Sequence, residues 1–305
     1  FMKQFLLISN TTEKNIDNNI LNYLSKIFEE ISFKKTNFRE LSPQGAYELE
    51  LKNEELNLEL KKFTKNFLLQ NNIDCNFIKE TKDRKKKLLL ADMDSTIIKE
   101  ESLDELAKQI GKEKEVIKIT NEAMNGKIDF KKALLERVAI LKDQPAEILE
   151  KLKKSININD GAIELIKTMK HNNSITVLVS GGFTFLTDYL KKSLGFEHAH
   201  ANSLEICPNN LNKMYLTGKV IDPILDKHAK VWYLDDYVRK NKLDYEETIC
   251  VGDGANDIEM IKKAGLGVSY NGKKVLEKEA NIHFKTTNLL GLLYAQGYSD
   301  NQIIS

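Results

Sequence analysis

Apolar and polar positions in the first eighty residues alternate between short apolar runs and stretches with a helical period. Phe5 to Ser9 predicts a strand, and Ile16, Ile20, Tyr23, Leu24, Ile27 and Phe28 recur at the spacing of one helix face. Ile31 to Leu41 and Tyr47 to Leu51 predict two more strands, around Ser42-Pro43-Gln44-Gly45, whose proline and glycine favour a turn. Leu56 to Leu69 is again helix-periodic, and Asp74 to Ile78 predicts a last strand. The order βαββαβ predicts a small ferredoxin-like α+β domain over residues 1–84. The run Thr81-Lys82-Asp83-Arg84-Lys85-Lys86-Lys87 that follows reads as a solvated linker.

Beyond Lys87 the pattern changes. Leu88 to Asp92, Ile175 to Ser180, Thr248 to Gly252 and Leu266 to Val268 are apolar throughout, as strands buried on both faces of a parallel sheet must be. Helical stretches separate them, which predicts a doubly wound α/β core over residues 85–98 and 160–305. Between Glu101 and about Ile158 only helix-periodic sequence occurs, including Leu103, Leu106, Ala107 and Ile110. Residues 99–159 are therefore expected to form a helical cap inserted after the first core strand. That is above the strand's carboxyl end, where open α/β sheets bind ligands. Ser203 to Ile221, broken by Asn209-Asn210, Asn212 and Gly218, predicts a hairpin excursion.

Composition narrows the functions available. The 305 residues carry 46 basic and 45 acidic side chains, so bulk charge does not point to nucleic acid or a membrane surface. The three cysteines, Cys75, Cys207 and Cys250, are widely spaced, which fits reduced thiols rather than a disulfide framework. Phe5-Leu6-Leu7-Ile8 is too short for a signal segment, and Leu289 to Ala295 falls far below a membrane span. A cytoplasmic location is the expectation.

Four motifs carry chemistry. Asp92-Met93-Asp94-Ser95-Thr96 places two carboxylates at the end of a buried strand, with hydroxyls and backbone N–H groups suited to phosphate oxygens. Ser180-Gly181-Gly182, at a second strand end, exposes a hydroxyl and backbone N–H groups before a helix. Gly252-Asp253-Gly254-Ala255-Asn256-Asp257 follows a third strand, and Asp253 and Asp257 with Asp92 offer oxygen ligands to a hard cation. Lys230, chosen over Lys227 from its spacing to Gly252, begins a helix that leads towards that strand. His198-Ala199-His200 stands apart from every acidic motif and reads as surface or hairpin packing.

In this order the motifs resemble the haloacid dehalogenase superfamily of phosphohydrolases, and within it the phosphoserine phosphatases. The resemblance covers about Leu88 to Leu290. It extends to Glu101 and to Ala123-Met124-Asn125-Gly126-Lys127-Ile128-Asp129-Phe130 followed by Arg137-Val138. Two positions depart from the family: Leu135 stands where an arginine is frequent, and His228-Ala229-Lys230-Val231 replaces Asn-Ala-Lys-Gly. The N-terminal domain resembles ACT-like regulatory domains, although Ser9-Asn10-Thr11-Thr12 lacks their Pro-Gly loop. That domain is expected either to bind a ligand or to pair two copies as a homodimer.

The resemblance implies hydrolysis of O-phosphoserine with Mg²⁺ and an aspartyl-phosphate intermediate. It implies Asp92 as nucleophile, Asp94 as general acid and then base, and Lys230 as charge partner. The cation is implied at the Asp92 and Asp253 carboxylates and the Asp94 carbonyl, with Asp257 supporting them. Glu101 is implied for the substrate ammonium, Arg137 for its carboxylate, Met124 and Phe130 for the pocket wall. Ser180, Gly181, Gly182 and Asn256 are implied around the phosphate. Another phosphomonoesterase, or a phosphotransferase on the same fold, stays open, and a phospho-aspartate receiver is the alternative of a different class.

Overall fold

The structure, a computed structural model, describes residues 4–32, 37–51, 58–79, 83–124 and 128–305, without the side chains at 31, 32, 121, 123, 124 and 227. The chain opens with β1 (Gln4–Ser9), α1 (Asn18–Ser32), β2 (Arg39–Ser42), β3 (Ala46–Leu51), α2 (Leu58–Gln70) and β4 (Asp74–Lys79). After β5 (Leu88–Ala91) come α3 (Ser102–Gln109), α4 (Glu113–Met124), α5 (Phe130–Ala139), α6 (Glu147–Ser155) and α7 (Ala162–His171). Then follow β6 (Ile175–Phe183), α8 (Thr184–Leu194), β7 (His198–Pro208), β8 (Met214–Ile221) and α9 (Lys227–Lys240). The chain ends with β9 (Thr248–Gly252), α10 (Ile258–Lys263), β10 (Leu266–Tyr270), α11 (Lys274–Glu277), β11 (Ile282–Phe284) and α12 (Gly291–Ala295).

The βαββαβ order holds, in an antiparallel sheet with strand order β2-β3-β1-β4. Leu6 faces Leu49 and Phe77 across the ladder, and Ile8 faces Tyr47 and Cys75. Strand alternation puts Leu6 and Ile8 on one face, where Leu24 and Phe28 of α1 and Leu60 and Leu68 of α2 close a core. The predicted turn is present, with Gly45 N–H bonded to the Ser42 carbonyl at 3.0 Å and Gln44 in the left-handed region. The strand predicted from Ile31 is shorter among the described residues, because α1 runs on to Ser32 and Arg39–Ser42 is what pairs there; residues 33–36 lie outside them. Position 31 lies three residues after Phe28, so its apolar character continues the helical stripe rather than opening a strand.

The second sheet has the order β11-β10-β9-β5-β6-β7-β8. Its recorded β9–β10, β10–β11 and β6–β7 pairs are parallel, and β7–β8 is the antiparallel hairpin expected between Ser203 and Ile221. Four helices, α3 to α6, fill the interval that lacked strand signals. Sequence pattern missed the short edge strand β11, whose three residues are too few to show a period. No helix among the described residues is long and apolar enough to cross a membrane.

Two compact units divide the chain. The first holds residues 1–89, 160–175 and 238–305. Here Asn76 of β4 brackets His283 of β11, accepting its N–H at 2.8 Å and donating to its carbonyl at 2.9 Å. The Asp74 carboxylate accepts the N–H groups of Lys285, Thr286 and Thr287 at 2.9–3.1 Å. Backbone groups of an edge strand are thus satisfied by side chains of the smaller sheet.

In the basic run expected as a solvated linker, Lys85 and Lys87 are exposed, Arg84 and Lys86 are instead packed, and residues 81–82 lie outside the described residues. Arg84 lies over the Phe5 ring and pairs with buried Glu48 at 2.6 Å, and buried Lys86 donates to the Glu246 carbonyl at 2.6 Å. Burial lowers the Lys86 ammonium to about 8. Long basic side chains bury their stems while the charged heads find oxygens, which composition alone cannot reveal.

The second unit holds residues 90–159 and 176–237. Asp129 caps α5 by accepting the Lys132 N–H at 2.8 Å, a contact worth about 1 kcal/mol. The hairpin supports this helix: a Cβ at Gly218, where φ is +77°, would lie 2.9 Å from Lys142 Cβ and 3.3 Å from Ala139 Cα. Glycine allows both the backbone angle and the close approach. His200 stays within this packing, bonded to the Tyr237 hydroxyl at 2.9 Å and stacked on Tyr233.

Candidate active site

Asp92 follows the last residue of β5 and is almost fully buried. Its Oδ1 accepts the Met93 N–H at 2.8 Å and lies 2.7 Å from Nζ of Lys230. Lys230 stands in the first turn of α9 and is itself only 1% exposed. Two opposite charges that are both removed from water hold each other, because either alone would pay a large desolvation cost. The choice of Lys230 on spacing thus meets its geometric counterpart.

Asp94 is half-buried in the turn that leads from β5 to α3. Oδ1 accepts the Ser102 N–H at 2.9 Å, from the start of α3, and the Ser180 hydroxyl lies 3.5 Å from Oδ2. Ser180 Oγ in turn accepts the Gly182 N–H at 2.8 Å. A Cβ at Gly182 would stand 2.9 Å from Asp94 Oδ2 and 3.0 Å from Ser180 Oγ, so the absent side chain lets this carboxylate reach the second strand end. The extended segment continues from Ser180 to Phe183 before α8 begins, rather than turning at Ser180. Buried Asn202 fixes it, donating to the Gly181 carbonyl at 2.8 Å while accepting the Leu225 N–H at 2.7 Å.

Burial, and then the nearby Glu101 carboxylate, push Asp94 up to about 7 from an ordinary 3.8, opposed by Ser102 and Lys230. A carboxyl raised in this way keeps a proton to give in a substantial fraction of molecules near neutrality, as a proton donor must. The sign for stability follows: this group favours the fold fully below its ordinary value, and the contribution is lost as pH rises through about 7. In protein free of divalent cation, the Asp94 carboxyl carbon should titrate near pH 7 by NMR, and Glu101→Gln should lower that midpoint. A midpoint near 4 would remove the burial argument.

The helical insertion adds charged groups to the same unit. Glu101 precedes α3 and accepts the Ser95 hydroxyl at 2.7 Å. Ser95 therefore does not point its hydroxyl towards a phosphate as the sequence suggested, and Thr96 Oγ1 is buried without a hydrogen-bond partner. Arg137, in the last turn of α5, is half-buried and bonds the Ala133 carbonyl at 3.3 Å. Burial lowers its guanidinium, and the carboxylates of Asp104, Glu101 and Asp94 oppose that shift. The Phe130 ring sits 3.4 Å from the place of a Cβ on Gly181, against the extended end of β6. Met124 closes α4, but its side chain lies outside the described residues, as does the segment 125–127.

The remaining motif belongs to the first unit. Asp253 follows β9 and is buried, while Asp257 is fully buried with its Oδ2 accepting the N–H groups of Asp253 and Gly254, both at 3.2 Å. Each of these two acids offers an oxygen within 4.8 Å of the other's. A Cβ at Gly252 would overlap the Asp257 carboxyl carbon at 2.3 Å, so the glycine makes room for this brace. Half-buried Asn256 covers Gly254, and Lys273 Nζ stands 3.7 Å from Asp253 Oδ2.

Sequence reasoning missed Asn202, Asp104 and Lys273. Asp104 carried a usable signal, since it follows Glu101 by three residues and so shares its helix face. Asn202 and Lys273 carried none, being single polar residues in a strand and a turn.

The haloacid dehalogenase-like hydrolase family matches residues 89–262, more than half of the chain. The chain belongs to that family. A phosphoserine phosphatase of Methanocaldococcus jannaschii is 41% identical over 211 residues, 69% of this chain and 98% of that protein. A phosphoserine phosphatase of Archaeoglobus fulgidus is 42% identical over 212 residues, 70% of this chain but 60% of its own length. Among solved structures, a hydrolase of the same family from Salmonella enterica serovar Typhi has a TM-score of 0.82 at 26% identity. It covers 96% of this chain and 98% of its own, so the likeness includes the N-terminal α+β sheet.

Proposed function

We propose that this haloacid dehalogenase-like hydrolase is a phosphoserine phosphatase, hydrolysing O-phospho-L-serine to serine and phosphate by way of an aspartyl phosphate. The observation that carries the reading is the buried Asp92–Lys230 pair, 2.7 Å apart, in one unit with Glu101 and Arg137. A phosphomonoesterase needs the first part, and an amino-acid substrate needs the second. The names of the relatives in Methanocaldococcus jannaschii and Archaeoglobus fulgidus agree with it.

Among the described residues, the buried acids suited to a cation are Asp92, Asp253 and Asp257. The donor set is all oxygen, without histidine or cysteine. That chemistry fits Mg²⁺, held by the Asp92 and Asp253 carboxylates and the Asp94 carbonyl. When bound, the ion offsets negative charge on the carboxylate and the phosphoryl group. Asp257 acts one step back, fixing the backbone that carries Asp253.

In the first half-reaction an Asp92 oxygen attacks phosphorus in line and the bond to the serine oxygen breaks. Asp94, protonated, gives its proton to that oxygen. In the second half-reaction Asp94, now ionised, takes a proton from water as the water oxygen attacks phosphorus and frees Asp92. Lys230 Nζ stays beside Asp92 and balances its charge as the phosphoryl group arrives. Ser180, Gly181, Gly182 and Asn256 surround the phosphoryl oxygens.

Residues 99–159 serve as the cap over the core of 85–98 and 160–305, and residues 1–84 form the appended domain. In the cap Glu101 takes the substrate ammonium and Arg137 its carboxylate, a group that a guanidinium can bind through two parallel bonds. Met124 and Phe130 wall the pocket.

The test is a screen of small phosphoesters with and without Mg²⁺, read as phosphate release. Phosphoserine should lead, with no acceptor added; release only in the presence of an acceptor would favour a phosphotransferase. Arg137→Ala should lower kcat/KM for phosphoserine by about 10²-fold while changing p-nitrophenyl phosphate less than about tenfold. Equal losses on both esters would remove Arg137 from carboxylate recognition.

A further inference from the structure

Glu101 is a solvent-exposed carboxylate at the start of α3, yet it is not left to sample its rotamers. Three hydrogen bonds close the segment from Asp94 to Ser102 into a ring. Ser95 N–H bonds the Glu100 carbonyl at 3.1 Å, Ser95 Oγ bonds Glu101 Oε1 at 2.7 Å, and Ser102 N–H bonds Asp94 Oδ1 at 2.9 Å. Ser95 adopts φ +53° and ψ +8°, a left-handed conformation uncommon for residues other than glycine. A strained residue that survives inside a functional turn is over-determined by what surrounds it, and here the turn aims the hydroxyl at Glu101.

We propose that Ser95 is a specificity-determining positioning residue, which holds Glu101 so that its second oxygen faces the ammonium of an aminated phosphoester. The inference rests on the reading of Glu101 as the ammonium acceptor. An ionised carboxylate accepts only, with two lone pairs on each oxygen, so a hydroxyl on Oε1 leaves Oε2 free for an N–H donor. A glutamate has several rotatable bonds, and fixing them before substrate arrives removes an ordering cost that binding would otherwise carry. The same ring fixes Asp94 through Ser102, so the group that reads the amine and the group that moves the proton share one rigid turn. Ser95 acts through Glu101 and touches no reacting atom.

Two variants separate the hydroxyl from the backbone. Ser95→Ala removes the hydroxyl and keeps the left-handed penalty, whereas Ser95→Gly removes the hydroxyl and relieves the penalty. Each is compared with wild type on phosphoserine and on the phosphate ester of 3-hydroxypropionate, which has the carboxylate but no amino group. Both variants should raise KM for phosphoserine about tenfold with little change in kcat, and should change kcat/KM for the desamino ester less than about twofold. Turnover of the desamino ester also reports whether each variant folds.

Full retention of the amino preference in Ser95→Ala would overturn the proposal. So would equal losses on both esters, or a loss in Ser95→Ala that Ser95→Gly repairs. If wild type itself shows no preference for phosphoserine over the desamino ester, the phosphoserine reading fails and the inference fails with it. A wild-type preference that Ser95→Ala leaves intact sinks the inference alone.

Discussion

Asp92→Asn is expected to abolish turnover, lowering kcat by roughly 10⁴-fold or more, while the chain still folds. The amide keeps an oxygen that can accept the Met93 N–H, so the turn after β5 retains its local bond. What is lost is the charge. A neutral amide oxygen does not displace an alkoxide from phosphorus, and no aspartyl phosphate can form at position 92. The variant also leaves the Lys230 ammonium, only 1% exposed, facing a dipole instead of a carboxylate. Breaking one side of a buried pair costs about 3–5 kcal/mol, and the amide dipole recovers part of that, so a lower melting temperature with native circular dichroism is expected. The deciding measurement is single-turnover labelling with phosphate-labelled phosphoserine. Wild type should show a transient acid-stable, base-labile phosphoenzyme and Asp92→Asn none. Appreciable multiple turnover in the variant, or a labelled peptide elsewhere, would rule out Asp92 as nucleophile.

The fold was legible wherever hydrophobic period ran long enough to count. Strands β5, β6, β9 and β10 read as unbroken apolar runs because both faces of a parallel sheet are covered, and Thr248–Gly252 was bounded to the residue. The failures have physical causes. Ile31 carries an apolar side chain one helical turn after Phe28, and period cannot tell a helix end from a strand start at that spacing. Lys86 and Arg84 looked solvated because charge suggests exposure, whereas the oxygens that hold them, Glu246 carbonyl and Glu48, lie 160 and 36 residues away in sequence. The candidate site residues of the strand-end motifs were legible because several motifs in order constrain one another. Ser95 shows the limit: its place in the motif was read correctly, but the direction of its hydroxyl depends on a left-handed turn that no spacing announces.

Lys230→Met should lower kcat for phosphoserine by about 10³-fold. Methionine replaces most of the stem of a side chain that is 1% exposed, so the loss is of the ammonium 2.7 Å from Asp92 rather than of volume. Native circular dichroism with kcat lowered, and KM for phosphoserine changed far less, is the expected pattern. A neutral variant that kept wild-type kcat would show that Lys230 holds structure only.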